Sequence, residues 1–299
     1  MTWNSLPRLL PAGLAGLLLL ASSLEAQNAP YPSDAGAMAA YRPIADSLID
    51  AATHDSAAYT RLGMLVDTYG PRLSGSPALE SAIDWILEQM KSDGLENVRG
   101  ERVMVPHWVR GAESAELLKP RKTRLAMLGL GGSVATPAKG ITAPVLVVSS
   151  FDELTARAAE AKGKIVLFDA PFTSYRETVH YRVDGASAAA RVGAVASLIR
   201  SVASFSIHNP HTGVMHYDST VARIPAAALS VEDAEMLHRF QNRGQPVVLT
   251  LRMSARTLPD AASRNVIGEI RGRERPDEVV VLGGHVDSWD VGQGAVDDG

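Results

Sequence analysis

An α/β fold is predicted by three features of the chain. Short apolar runs at 144–149, 164–169 and 246–253 alternate with stretches of helical character, which is the rhythm of a helix-covered sheet. Helix caps are written out at Ser76-Pro77 and at Ser230 with Asp233, each followed by a terminating glycine, Gly94 or Gly244. Of the 299 residues 46% are hydrophobic and 21% charged, enough to bury the core of one large domain or two ordinary ones.

The elements follow in order. Residues 1–26 read as a cleaved signal peptide: Arg8 supplies a positive start, Leu9 to Ala21 an apolar stretch, and cleavage fits after Ala26. The apolar run is short for a membrane span and carries Pro11, Gly13 and Gly16, so no stable membrane anchor is expected and export to a periplasmic or extracellular compartment is. A small, polar leader occupies 27–40, and a helix is expected from Ile44 to Tyr69, closed by Gly70-Pro71. After the cap at Ser76, Leu79, Ile83, Ile86, Leu87 and Met90 recur at helical spacing and form a core-facing stripe. Glu96 to Val109 reads as extended.

Between about 130 and 253 the rhythm is β-α-β. An Ala-rich helix is expected from Phe151 to Lys162, another over Ala186–Val192, and a third between Ser230 and Gly244. This stretch has the look of a module inserted into a domain that occupies 27–129 and resumes at 254–299. In the resumed part Ser263–Ile270 is expected as a strand, Arg271–Asp277 as a charged turn, and Glu278–Leu282 as a buried strand.

Composition also excludes. The net charge is −4 with no basic block, so nucleic acid is not expected as a partner. There is no cysteine, which removes disulfides, thiolate zinc sites and cysteine nucleophiles together. No Gly-x-Gly-x-x-Gly or Walker-type loop is present, and no Gly-x-Ser-x-Gly elbow. His285, Asp287 and Ser288 lie too close in sequence to converge on one reacting atom as a triad.

The chemistry concentrates at 283–299, Gly-Gly-His-Val-Asp-Ser-Trp-Asp-Val-Gly-Gln-Gly-Ala-Val-Asp-Asp-Gly, directly after the apolar run Val279–Leu282. Ligands in α/β sheets bind beyond the carboxyl ends of strands. An imidazole at His285 and a carboxylate at Asp297 suit zinc, whose catalytic sites mix N and O ligands, and the intervening glycines let the two fold back on one ion. Asp287 is placed to accept a hydrogen bond from the other ring nitrogen, and Asp297-Asp298 concentrates negative charge that a cation would relieve. The residues alone leave a second reading open, a glycine-rich surface loop whose acids face water.

The segment resembles the first metal-ligand segment of the co-catalytic zinc exopeptidases, and within them it is most similar to the plasma glutamate carboxypeptidase branch. The resemblance extends to Asn265–Ile270, Tyr69–Ser76 and Ser149–Leu154, and so across nearly all of the chain after the leader. It implies a zinc-exopeptidase mixed sheet with helices on both faces, interrupted by a protease-associated (PA) insert at 130–253. It also implies two zinc ions, with His285 a ligand of one, Asp297 bridging both, Asp287 orienting the histidine and Asp298 completing the motif. The family's Glu-Glu pair and later Asp and His ligands would fall beyond Gly299, so the chain is expected to be an N-terminal portion, inactive alone. The implied substrate is a dipeptide or short peptide cleaved at a terminal bond, and the implied assembly a homodimer. Two alternatives share these residues: an aminopeptidase of the same family, and a binding protein that has lost the chemistry. His208, His211 and His216 lack a supporting carboxylate at regular spacing and read as a polar loop of the insert. His54, His107, His180 and His238 read as surface or capping residues.

Overall fold

The computed structural model describes residues 35–295, so the signal peptide expected at 1–26 and the acids Asp297 and Asp298 lie outside the described residues. The chain divides between Thr60 and Arg61 into two compact units.

The described part of the first unit is helical. α1 (Ala35–His54) ends with His54 Nδ1 against the Asp50 carbonyl at 2.8 Å. The Asp55 carboxylate then accepts from Ala57 N–H at 2.7 Å and opens α2 (Ala57–Tyr69). The single helix expected over 44–69 is therefore two, because an aspartate at the cap position offers the backbone an alternative to continuing the helix. In the second unit, α3 (Pro77–Ser92) starts as its sequence says: the Ser76 hydroxyl accepts from Leu79 N–H, Pro77 takes the first turn, and Leu79, Ala82 and Ile83 are buried.

β1 (Glu96–Val109) leads into a sheet built from residues 113–253. Its elements are β2 (Glu113–Lys119), β3 (Thr123–Leu125), β4 (Met127–Gly129), β5 (Ile141–Val148), α4 (Phe151–Ala156), α5 (Ala158–Ala161), β6 (Ile165–Phe168), α6 (Tyr175–Arg191), β7 (Ala196–Arg200), β8 (Ala226–Leu229), α7 (Val231–Asn242) and β9 (Val248–Met253). The strand order is β3-β2-β9-β5-β6-β7-β8-β4. β5 to β8 run parallel at the centre, and antiparallel strands flank them on both sides. After β9 the chain returns as β10 (Arg256–Glu269), which pairs antiparallel with β1 from Glu96↔Glu269 to Val109↔Arg256. The whole eight-stranded sheet thus lies between the two strands of one ribbon. α3 packs on that ribbon, where Arg264 of β10 reaches Glu80 at 3.1 Å and Asp84 at 2.7 Å.

Period-2 alternation in the parallel strands builds two cores. On one face Val145, Val147, Ile165, Leu167, Leu198 and Leu229 meet Ala234 and Leu237 of α7. On the other, Leu146, Val148, Val166, Phe168 and Ile199 meet Leu154, Ala186 and Ala189 of α4 and α6. The fold is thus α/β as expected, a large mixed sheet with helices on both faces, and that sheet is built mainly from the stretch read as an inserted module. The sheet begins at Glu113, upstream of residue 130: β2 and β3 interleave charged with apolar residues, and β3 and β4 are only three residues long, so none of the three stands out as a strand in the sequence. The buried strand expected over 278–282 is not formed: Val279, Val280, Val281 and Leu282 are 80–91% exposed, with no paired strand among the described residues.

Candidate metal centre

Residues 283–295 carry no regular secondary structure, so what holds them must come from elsewhere in the chain. Arg72, only 2% exposed, is the main clamp. Its backbone N–H donates to Ser288 Oγ at 2.9 Å, and Ser288 N–H donates to the Arg72 carbonyl at 3.0 Å. Its guanidinium donates to three carbonyls: Val286 at 3.1 Å, Gly70 at 2.7 Å and Gly294 at 2.9 Å. Burial pulls the Arg72 pKa below the usual guanidinium range, and the nearby Asp287 carboxylate works against that shift. Gly294 has a positive φ of 77° and lies so close to the Gly70 carbonyl and the Arg72 guanidinium that no side chain fits there.

A second clamp comes from Arg110, just after β1. It is 7% exposed and grips Asp290 through two parallel hydrogen bonds, Nε to Oδ2 at 2.9 Å and Nη2 to Oδ1 at 2.7 Å. Its third nitrogen donates to the Gly129 carbonyl, Glu113 lies at 3.8 Å, and the guanidinium sits 5.1 Å from the Trp108 ring centroid. Between the clamps, Trp289 lies flush on Gly131, where a methyl group would overlap the indole.

On this frame His285 Nδ1 faces the Asp287 carbonyl at 2.9 Å and its carboxylate at 3.2 Å. An Nδ1–H donated there fixes the tautomer in which Nε2 carries the lone pair, as in histidines that ligate metals. An imidazole backed by a carboxylate is also a donor set suited to zinc. The residues present therefore fit a metal ligand and its support. Among the described residues no group of three or more His, Cys, Asp or Glu converges. His285, Asp287, Ser288 and Trp289 line a cleft of about 380 Å³ whose other walls are mainly apolar: Leu73, Pro106, Trp108, Gly131, Gly132 and Val214.

Residues 265–299 match the model of peptidase family M28. The chain belongs to that family. Over 265 residues, 88% of the chain, it is 55% identical to mouse carboxypeptidase Q, of which this covers 56%. A solved peptidase M28 precursor from Shewanella amazonensis superposes with a TM-score of 0.82 at 37% identity, over 86% of this chain and 60% of that one. An aminopeptidase from Aneurinibacillus shares the fold at a TM-score of 0.57 and 20% identity. The chain spans about half the length of the curated relatives it matches.

The other histidines are placed as well. His208 Nε2 pairs with Asp233 at 3.1 Å, and burial lowers the pKa of His211, so the 208–216 stretch joins no metal cluster among the described residues. Its loop does reach the cleft, through Val214, whose carbonyl is held by the buried Arg182. His238, read from sequence as a surface or capping residue, instead pairs with the buried Asp169 at 2.7 Å. Arg110, Asp290 and Trp289 were not singled out by sequence, since their roles exist only once distant segments meet. Arg72 lies inside the resembling segment Tyr69–Ser76, but nothing local to it names a partner more than two hundred residues away.

Proposed function

We propose that the chain carries part of the metal site of an exported zinc exopeptidase that hydrolyses terminal bonds of dipeptides or short peptides, of the carboxypeptidase type. The observation that carries the reading is the Asp287-backed His285 at the mouth of an apolar cleft, within the segment that matches family M28. His285 and Asp297 would hold zinc, and Asp287 keeps His285 in the tautomer that ligates. Two zinc ions, when bound, supply polarisation of the scissile carbonyl and of the attacking water. The chain's own residues do the rest: Arg72 and Arg110 hold the loop, and Leu73, Pro106, Trp108 and Val214 exclude water beside it. The 55% identity to a carboxypeptidase weighs against the aminopeptidase reading, which rests on 25% identity to a leucine aminopeptidase.

The same proposal makes residues 130–253 a PA-like insert and residues 1–26 an export signal. Among the described residues no helix is long and apolar enough to cross a membrane. A homodimer is the proposed assembly.

Zinc titration with a dipeptide assay tests the reading. The chain is expected to bind zinc and to lose that binding on His285→Ala, with any dipeptide turnover falling with it. Zinc binding indifferent to His285→Ala would overturn the site.

A further inference from the structure

Arg110 sits where three parts of the second unit meet. It follows directly on β1 of the ribbon, it touches the sheet through Gly129 and Glu113, and it grips Asp290 of the loop that carries His285. Each contact is itself braced. Gly129 N–H donates to both Glu113 oxygens at 3.0–3.1 Å, the Gly129 carbonyl also accepts from Thr212 Oγ1 at 2.9 Å, and Trp108 beneath the guanidinium donates from Nε1 to the Ser133 carbonyl at 2.9 Å. A guanidinium this buried needs the Asp290 carboxylate in place, and a bidentate fork fixes that group's orientation as well as its distance.

We propose that Arg110 is a positioning residue for the metal-ligand loop. Through Asp290 it locks the loop carrying His285, and the cleft wall made by Trp108 and Trp289, to the eight-stranded sheet. Arg72 pins the loop at Val286, Ser288 and Gly294, and between Ser288 and Gly294 the Arg110–Asp290 fork and the seat of Trp289 on Gly131 set its path. The consequence for zinc rests on the proposed metal reading, whereas the ordering of the loop does not.

Asp290→Asn and Arg110→Lys separate the possibilities. The first leaves Arg110 its contacts with Gly129, Glu113 and Trp108, so the sheet keeps its support; the second keeps the charge and removes the fork. Amide exchange at 284–291 is expected to quicken about tenfold in both variants while amides of β5 to β8 keep native rates. Zinc affinity of the chain is expected to fall about tenfold, the lower end of what losing support for a metal ligand costs. Unchanged exchange at 284–291 in both variants, or faster exchange confined to β2 and β4, would overturn the proposal and leave the pair a brace of the sheet alone. A native chain that binds no zinc would sink the metal reading, and the exchange result would still decide the positioning role.

Discussion

Glu113 shows how one buried carboxyl records the company it keeps. Burial raises its pKa above the usual 4.5, and the negative charge of Asp290 adds to the rise; the Gly129 N–H and Arg110 oppose it without cancelling it. A carboxyl whose pKa is higher folded than unfolded favours folding most below the unfolded value, and that advantage is lost as pH rises through the folded value. Glu113→Gln keeps an acceptor for Gly129 N–H and removes the titration. The variant is therefore expected to gain stability over the native chain at pH 7 and to lose that gain below about pH 4.5. Urea unfolding at the two pH values checks this, and a native chain that is the more stable at pH 7 contradicts it. Residues of this kind mark the limit of sequence reading. His285 and Asp287 are two apart, so their contact is written locally. Arg110 and Asp290 are 180 apart, and nothing near either names the other.

Among the elements, caps and terminators were legible because their chemistry is local. Ser76, Ser230, Gly94 and Gly244 all take the positions their sequence assigns. β8 was not legible: Ala226–Leu229 is mostly alanine, the best helix former, and becomes a strand only because β7 and β4 pair with it and both of its faces are covered. Pairing also explains Gln241 of α7. β9 pairs with β5 only as far as Pro144, and beyond it the Gln241 amide takes over, accepting from Val147 N–H at 2.8 Å and donating to the Val147 carbonyl at 2.9 Å. The side chain thus acts as one more rung of the ladder. Gln241→Met keeps much of the volume and leaves the N–H of the fully buried Val147 unpaired, at about 1–3 kcal/mol before relaxation, while the Val147 carbonyl keeps the Arg157 guanidinium at 3.2 Å. A loss of about 1 kcal/mol or more in chemical unfolding is expected. A loss under about 0.5 kcal/mol would mean that water or a shift of α7 replaces the amide.

Across the whole molecule, the same physics that was right for Val145–Val148 was wrong for Val279–Leu282. Both are continuous apolar runs, and continuous apolar runs predict strands covered on two faces. The first is sandwiched between α7 and α4–α6; the second has no such cover among the described residues and stays 80–91% exposed. Sequence pattern states what a segment needs, and only its neighbours decide whether the need is met. Four successive bare apolar residues next to the His285 loop are an adhesive edge, since unpaired backbone groups and apolar side chains both invite another strand. The 299-residue chain is accordingly expected to self-associate with rising concentration in sedimentation velocity and to bind a hydrophobic dye. Val280→Lys with Leu282→Glu places opposite charges on one face of that run and touches none of the described core. The double variant should lose the concentration-dependent growth and most of the dye signal with its unfolding midpoint unchanged. Association that persists undiminished in the double variant would assign the adhesive surface elsewhere.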